Sequence, residues 1–221
     1  MSNSRPRLKE KLMRTFFLSS ETGVKDKNKV KDIENEITNT GLSYIQMKLP
    51  ISKITPGFED KLTQQVERNI LRAKIREATE DDLQSVMFIH NKAWMTSNSP
   101  YAPISLDSLK KIYSYPDTII FIAKVYGSDA GFIMLDFEGP NKEYGVIAGL
   151  GVLPRFQRKG LGTVLGMTGW NYFKQKGVSE LRCEVYVENK ASYYFIKSLG
   201  FEEFETKCYK MEDFQLKEDS I

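Results

Sequence analysis

From Gly151 to Thr163 the chain reads Gly-Val-Leu-Pro-Arg-Phe-Gln-Arg-Lys-Gly-Leu-Gly-Thr, and the apolar run Val146 to Val152 leads into it. An apolar run, a proline stop, a basic turn, two glycines and then a helical pattern describe a strand feeding a helix with a nearly bare first turn. The first N–H groups of a helix have no partner inside it, and the macrodipole adds positive potential there. Gly160 and Gly162 let a ligand approach those N–H groups closely, and Arg158 and Lys159 add charge. The chemistry is phosphate binding.

Two common phosphate loops are excluded. No Gly-Lys-Ser/Thr follows the glycines, as a P-loop requires. In a dinucleotide turn the third glycine would stand at position 165, which is Leu165; Gly166 comes one residue late, and Pro154 to Lys159 separates the strand from the glycines. The order Gln157-x-x-Gly160-x-Gly162 instead resembles the pyrophosphate loop of the GCN5-related N-acetyltransferases, which hold acyl-coenzyme A. A second motif follows. Leu181-Arg182-Cys183-Glu184-Val185 alternates as a half-buried strand does, and Asn189, a helical stretch and Leu199-Gly200-Phe201 come after it. The family's second motif runs strand, Asn, helix, Gly-Phe, and Asn189 to Gly200 fits its spacing. The resemblance covers residues 74 to 213.

The resemblance implies an α+β fold with a mixed, mostly antiparallel central sheet, helices on both faces, and one parallel pair of strands that splay apart. Coenzyme A's pantetheine arm would lie in that gap. The backbone of Leu150, Gly151 and Val152 would bond the arm, Gln157, Arg158, Lys159, Gly160, Leu161, Gly162 and Thr163 would cradle the pyrophosphate, and Asn189 would contact the pantetheine. Asn189 also reads as an ordinary helix N-cap, and the two roles are compatible. Glu184 stands five residues before Asn189, where the bacterial ribosomal-protein N-terminal acetyltransferases carry a glutamate base. By alternation it faces away from Cys183 and Val185; the plainer reading is a solvent-facing strand glutamate. The family's usual tyrosine, which protonates the leaving thiolate, is replaced by Ile196, and Tyr193 lies one helical turn before it. Tyr193 is thus the candidate acid, with water as the alternative proton source. Trp94 and Tyr101 would line the acceptor pocket, whereas His90 reads as a packed or surface helical residue.

The elements that position these residues follow from periodicity. Lys74–Ala78 reads as a strand, Thr79 as an N-cap, and Leu83, Val86, Ile89 and Trp94 as the core face of a helix. A second helix spans Leu106–Tyr113. Strands Thr118–Val125 and Gly131–Phe137 are joined at Gly127-Ser128-Asp129, a hairpin signal. Strand Glu143–Val152, helix Gly160–Lys176, strand Glu180–Val187, helix Lys190–Leu199 and strand Phe201–Met211 complete the pattern. Residues 1–73 read as an N-terminal extension and 214–221 as an acidic tail, with the acetyltransferase domain at 74–213. In the extension, Leu8, Leu12 and Phe16 mark a basic amphipathic helix, 33–39 a short helix, Ser43–Met47 a strand, and Phe58, Leu62, Val66 and Ile70 an apolar stripe that needs a partner in this chain or in a second copy.

The chain has 221 residues, 41% hydrophobic, enough for one sizeable core. A net charge of +3 with 28% charged residues is no nucleic-acid footprint. Cys183, Cys208 and the single His90 match no metal-site spacing, so no metal is expected. Two cysteines suggest free thiols and a reducing compartment, and with no apolar run near ~20 residues the expectation is a cytoplasmic protein without a membrane span. The leading function is acetyl-CoA-dependent transfer to a primary amine, on a peptide or a small molecule, by direct ternary-complex transfer; a homodimer is compatible with it. The alternative is a catalytically weak acyl-CoA-binding module with the N-terminal region as partner surface. A nicotinamide-dependent oxidoreductase is the least favoured reading.

Overall fold

The run Ala130-Gly131-Phe132-Ile133-Met134-Leu135 is apolar at every position, so a strand built from it must be covered on both faces. In the computed structural model, which describes residues 40–67, 72–100 and 103–210, Ala130 to Asp136 are all buried. The elements are β1 (Leu42–Pro50), α1 (Pro56–Glu67), β2 (Lys74–Glu77), α2 (Leu83–Met95), α3 (Leu106–Tyr113), β3 (Ile119–Val125), β4 (Ser128–Glu138), β5 (Tyr144–Val152), α4 (Leu161–Gln175), β6 (Glu180–Tyr186), α5 (Lys190–Ser198) and β7 (Glu202–Tyr209). They form one seven-stranded sheet in the order β2-β3-β4-β5-β6-β1-β7. Only β5 and β6 are parallel; the other neighbours run antiparallel.

The helices divide between the faces by the alternation of β4. A Cβ on Gly169 of α4 would meet Ile133 and Leu135, and one on Gly131 would meet Leu165. The even positions face the other way: Phe132 lies against His90 of α2, and a Cβ on Gly151 would sit 2.5 Å from the Phe132 ring and 3.4 Å from Ala93. The expected α+β sheet with helices on both faces is the observed one. Among the described residues no helix is long and apolar enough to cross a membrane.

The N-terminal strand is longer than Ser43–Met47 and sits inside the sheet. β1 pairs with β6 along Tyr44 to Pro50 and with β7 along Leu42 to Lys48, so among the described strands it fills the place between β6 and β7. Leu42, Met47 and Leu49 are buried. α1 carries three of the four stripe residues: Leu62 is buried, Phe58 stacks on Trp170 of α4 at 5.8 Å, and Val66 is half-buried. Glu59 pairs with Lys174 at 2.8 Å. Ile70, the helices read at 8–16 and 33–39, and the acidic tail lie outside the described residues.

Two local readings differ in detail. The β3–β4 turn falls at Tyr126-Gly127, with φ of 49° and 79°, because Val125 pairs directly with Ser128. A type I′ two-residue hairpin turn has positive φ at both centres, and this one falls one residue earlier than the Gly-Ser-Asp cluster suggests. Thr79 does cap, in a reciprocal box with Asp82, but the first turn is a 3-10 turn over Glu80–Asp82. Arg76 forks onto Asp82 with two bonds of 2.6 Å and holds that carboxyl well below the usual carboxylate range.

Because β1 lies between two other strands, Met47→Ala should behave as a core truncation. A loss of about 2–5 kcal/mol in urea unfolding is expected; a strand merely laid on the surface would lose almost nothing.

Candidate active site

β5 and β6 begin as neighbours and then part. Their pairing covers Tyr144–Val146 against Glu180–Arg182 and stops. The cause lies on the other edge of β5, where Leu135 pairs with Ile147 but Met134 pairs with Gly149, leaving Ala148 as an extra residue. Such a bulge bends its strand and sharpens the twist. Beyond it Ile147 to Leu150 stay half-buried although they are apolar. Two adjoining clefts fill the gap, of about 610 and 180 Å³, and Trp94, Leu150, Asn189, Ser192 and Phe195 line both.

The larger cleft opens at the start of α4. Gly160 is the N-cap, in the left-handed region at φ 77°, and no side chain caps the helix. Gln157, Arg158 and Gly162 line this cleft together with Leu150, Val152 and Asn189. Gln157 donates from Nε2 to the Val152 carbonyl at 2.9 Å, so that edge group of β5 is already bonded. Lys159, Leu161 and Gly151 do not line this cleft. Lys159 donates to the Arg155 carbonyl at 3.0 Å, Leu161 is buried in the core, and Gly151 backs onto Phe132. Thr163 is half-buried in the first turn of α4.

Asn189 is buried and does two structural jobs. Its Oδ1 accepts from the Ser192 N–H at 3.1 Å as the N-cap of α5, and its Nδ2 donates to Ser99 Oγ at 2.8 Å. Asn98 donates to the Glu188 carbonyl at 2.8 Å, so the loop after α2 is strapped across the end of β6. Glu184 lines the smaller, inner cleft with Tyr44, Ile147, Cys183 and Ile196. Its Oε2 accepts from Gln46 Nε2 at 2.6 Å and from the Tyr209 hydroxyl at 2.8 Å. Tyr193 is elsewhere: its hydroxyl donates to Glu203 on β7, which raises its pKa, and its side chain lines neither cleft. Trp94 walls both clefts, and Tyr101 lies outside the described residues.

The cleft thus joins a splayed parallel pair, a bare helix start and an asparagine cap on the far wall. The sequence model described as the acetyltransferase (GNAT) family matches residues 83–201. The chain belongs to that family. An uncharacterised N-acetyltransferase of Methanocaldococcus jannaschii is 30% identical over 138 residues, which span 59% of this chain and 61% of the relative. The fold is similar to that of the aminoglycoside N-acetyltransferase AAC(6')-Iy in complex with CoA, at TM-score 0.51 and 23% identity, over 61% of this chain and 91% of that one. It is similar also to the PaiA N-acetyltransferase of Thermoplasma acidophilum in complex with coenzyme A, at TM-score 0.52 and 21% identity, over 62% and 99%.

Several residues around the clefts and Glu184 were not legible in the sequence. Gln46 and Tyr209 stand outside the matched segment, and no motif joins them to Glu184. Ser99, Ser192 and Phe195 carry no signal beyond their place in loop or helix, although Ser192 and Phe195 follow the Asn189 cap at spacings that turn them inward. His90 is a packed residue, as its helical position suggests. It stacks on Trp94 at 4.3 Å, and burial pushes its pKa down to about 4, against the opposing bond with Asn91.

His90 is the chain's single histidine, so its ring resonances report one site. They should titrate near pH 4 in the folded protein, against 6.5 unperturbed. The unfolded chain binds the extra proton first, so stability should fall as pH drops from about 6.5 towards 4, with no further loss from this group below that. A ring titrating at 6.5 would refute the packed, neutral assignment.

Proposed function

We propose that this chain is an acetyl-CoA-dependent N-acetyltransferase that moves an acetyl group directly to a primary amine in a ternary complex. The observation that carries this reading is the gap between β5 and β6. It runs from an uncapped helix start beside Arg158 to a carboxylate, Glu184, at its inner end. In this reading the N–H groups of the first turn of α4, with Arg158, take the pyrophosphate. The pantetheine arm lies along Leu150 with Asn189 and Phe195 on the opposite wall. The half-buried apolar edge from Ile147 to Leu150 suits an arm of methylenes and amides.

At the inner end the amine lone pair attacks the thioester carbon, a C–N bond forms and the C–S bond breaks. Backbone N–H groups near Val152 polarise the carbonyl oxygen. Glu184 receives the amine proton, directly or through a bridging water. The departing thiolate takes its proton from water. Tyr193 is left out of this scheme because its hydroxyl is spent on Glu203. Trp94 supplies an aromatic wall shared by donor and acceptor. Neither Cys183 nor Cys208 is in a disulfide, which fits a reducing compartment, and we place the protein in the cytoplasm.

A second reading, an acyl-CoA-binding module of weak activity, draws on one observation: Ile196 stands in the inner cleft where a proton donor would serve. Release of free coenzyme A from acetyl-CoA separates the two. The panel should hold a peptide with a free α-amine, a peptide with a free lysine side chain, a polyamine and an aminoglycoside. Amine-dependent release with any of them supports the transferase. Tight acetyl-CoA binding with no release from any of them supports the module.

Two substitutions probe the parts. A Cβ on Gly162 would stand 3.1 Å from the Phe195 ring, which lines the cleft. Gly162→Val should therefore push that ring into the donor path and weaken acetyl-CoA binding at least tenfold by calorimetry, about 1.4 kcal/mol. Unchanged affinity in a folded variant would remove the loop from the donor site. Glu184→Gln should leave that affinity intact and lower kcat/KM by roughly a hundredfold, the lower range for a general base. The loss should be greatest at low pH, where fewer acceptor amines are free.

A further inference from the structure

Gln46 stands in a strand whose other inward residues are Leu42, Tyr44, Met47 and Leu49, and it is only 6% exposed. A buried amide is costly unless its hydrogen bonds are made. It lies directly opposite Glu184 in the β1–β6 register, and its Nε2 donates to Glu184 Oε2 at 2.6 Å. The second donor reaches the same oxygen from β7. Tyr209, 1% exposed and edge-on to Tyr44, gives its hydroxyl proton to Oε2 at 2.8 Å. Residue 46 precedes the family-matched segment 83–201, and residue 209 follows it.

We propose that Gln46 and Tyr209 are positioning residues for Glu184, so that strands from outside the matched segment complete the proton-handling end of the site. This rests on the transferase reading, in which Glu184 is the base. An ionised carboxylate only accepts, so two converging donors favour the charged form, ready to take a proton. They also pin the side chain in one direction relative to the gap.

Other groups around Glu184 are Arg182, Cys183 and Glu138, which share a small cavity with it, and Tyr44 and Tyr186, which line the inner cleft beside it. Glu205 opposes Gln46 across the sheet, and Lys207 lies over the Tyr209 ring at 4.3 Å. All of them persist in the variants below, so a titration shift reports the lost donors.

The test compares the full-length chain with Gln46→Met and Tyr209→Phe, which keep side-chain length and ring. The Glu184 carboxyl carbon is followed by NMR and assigned by its disappearance in Glu184→Gln. Each variant should raise its titration midpoint, by roughly one pH unit for a lost donor. The acidic limb of kcat/KM, measured with acetyl-CoA and the best amine of the panel, should move up in step while acetyl-CoA affinity stays constant. Unchanged midpoints in folded variants overturn the proposal. So does a shifted midpoint with an unmoved acidic limb, which would make the bonds structural only. Tyr209→Phe alone decides the matter if Gln46→Met does not fold. A wild-type chain that acetylates no amine in the panel brings down the transferase reading, and with it the catalytic meaning of the three residues, while the titration still shows whether the donors act on Glu184.

Discussion

One extra residue, Ala148, separates β5 from β6, and the site exists because of that separation. Had β5 continued in register, Ile147 to Val152 would have closed against Cys183 onward and left no gap. Gly151 follows the bulge. It has no room for a side chain against Phe132, so the strand can bend without a clash in the core. α4 then starts where the bent strand points. Its uncapped first turn faces the mouth of the gap, and the same parting of strands leaves an apolar edge without a neighbour. Shape, positive potential and apolar lining share one cause.

The second constraint is the position of β1. The chain reaches β6 long after β1 has been made, yet β1 fills the slot between β6 and β7. Among the described strands, β7 therefore takes its backbone pairing from a strand far away in the chain. The contact order is high, and the pairing depends on the buried Leu42, Met47 and Leu49 rather than on any turn. The polar partners follow the same geometry: Gln46 and Tyr209 meet at Glu184 because three strands distant in sequence lie side by side.

Ligand-like features and structural ones overlap at Asn189. It caps α5 and ties the loop after α2 to the far wall of the cleft, so both walls are held by one buried amide. A helix cap and a contact to anything lying in the cleft require the same position. His90 and Trp94 show the reverse case. Their stacked pair is packing on one ring and cleft wall on the other.

By itself the sequence determined the local parts. Alternation and helical period gave the strands and helices from Lys74 onward, the glycines and basic turn marked the start of α4 at the mouth of the gap, and the spacing from Asn189 to Gly200 marked the helix on its far wall. These are short-range patterns, written in residues close enough to be read together. What it left undecided are the place of β1 within the sheet, the hairpin register at Tyr126-Gly127, and the partners that Lys159 and Tyr193 take outside the cleft. Tyr193 lies at the right helical spacing, but spacing fixes only direction along one helix, and Glu203 on a neighbouring strand claims its hydroxyl. Gln46 and Tyr209 had no signal at all. A buried glutamine and a buried tyrosine acquire meaning only when tertiary packing brings a carboxylate between them.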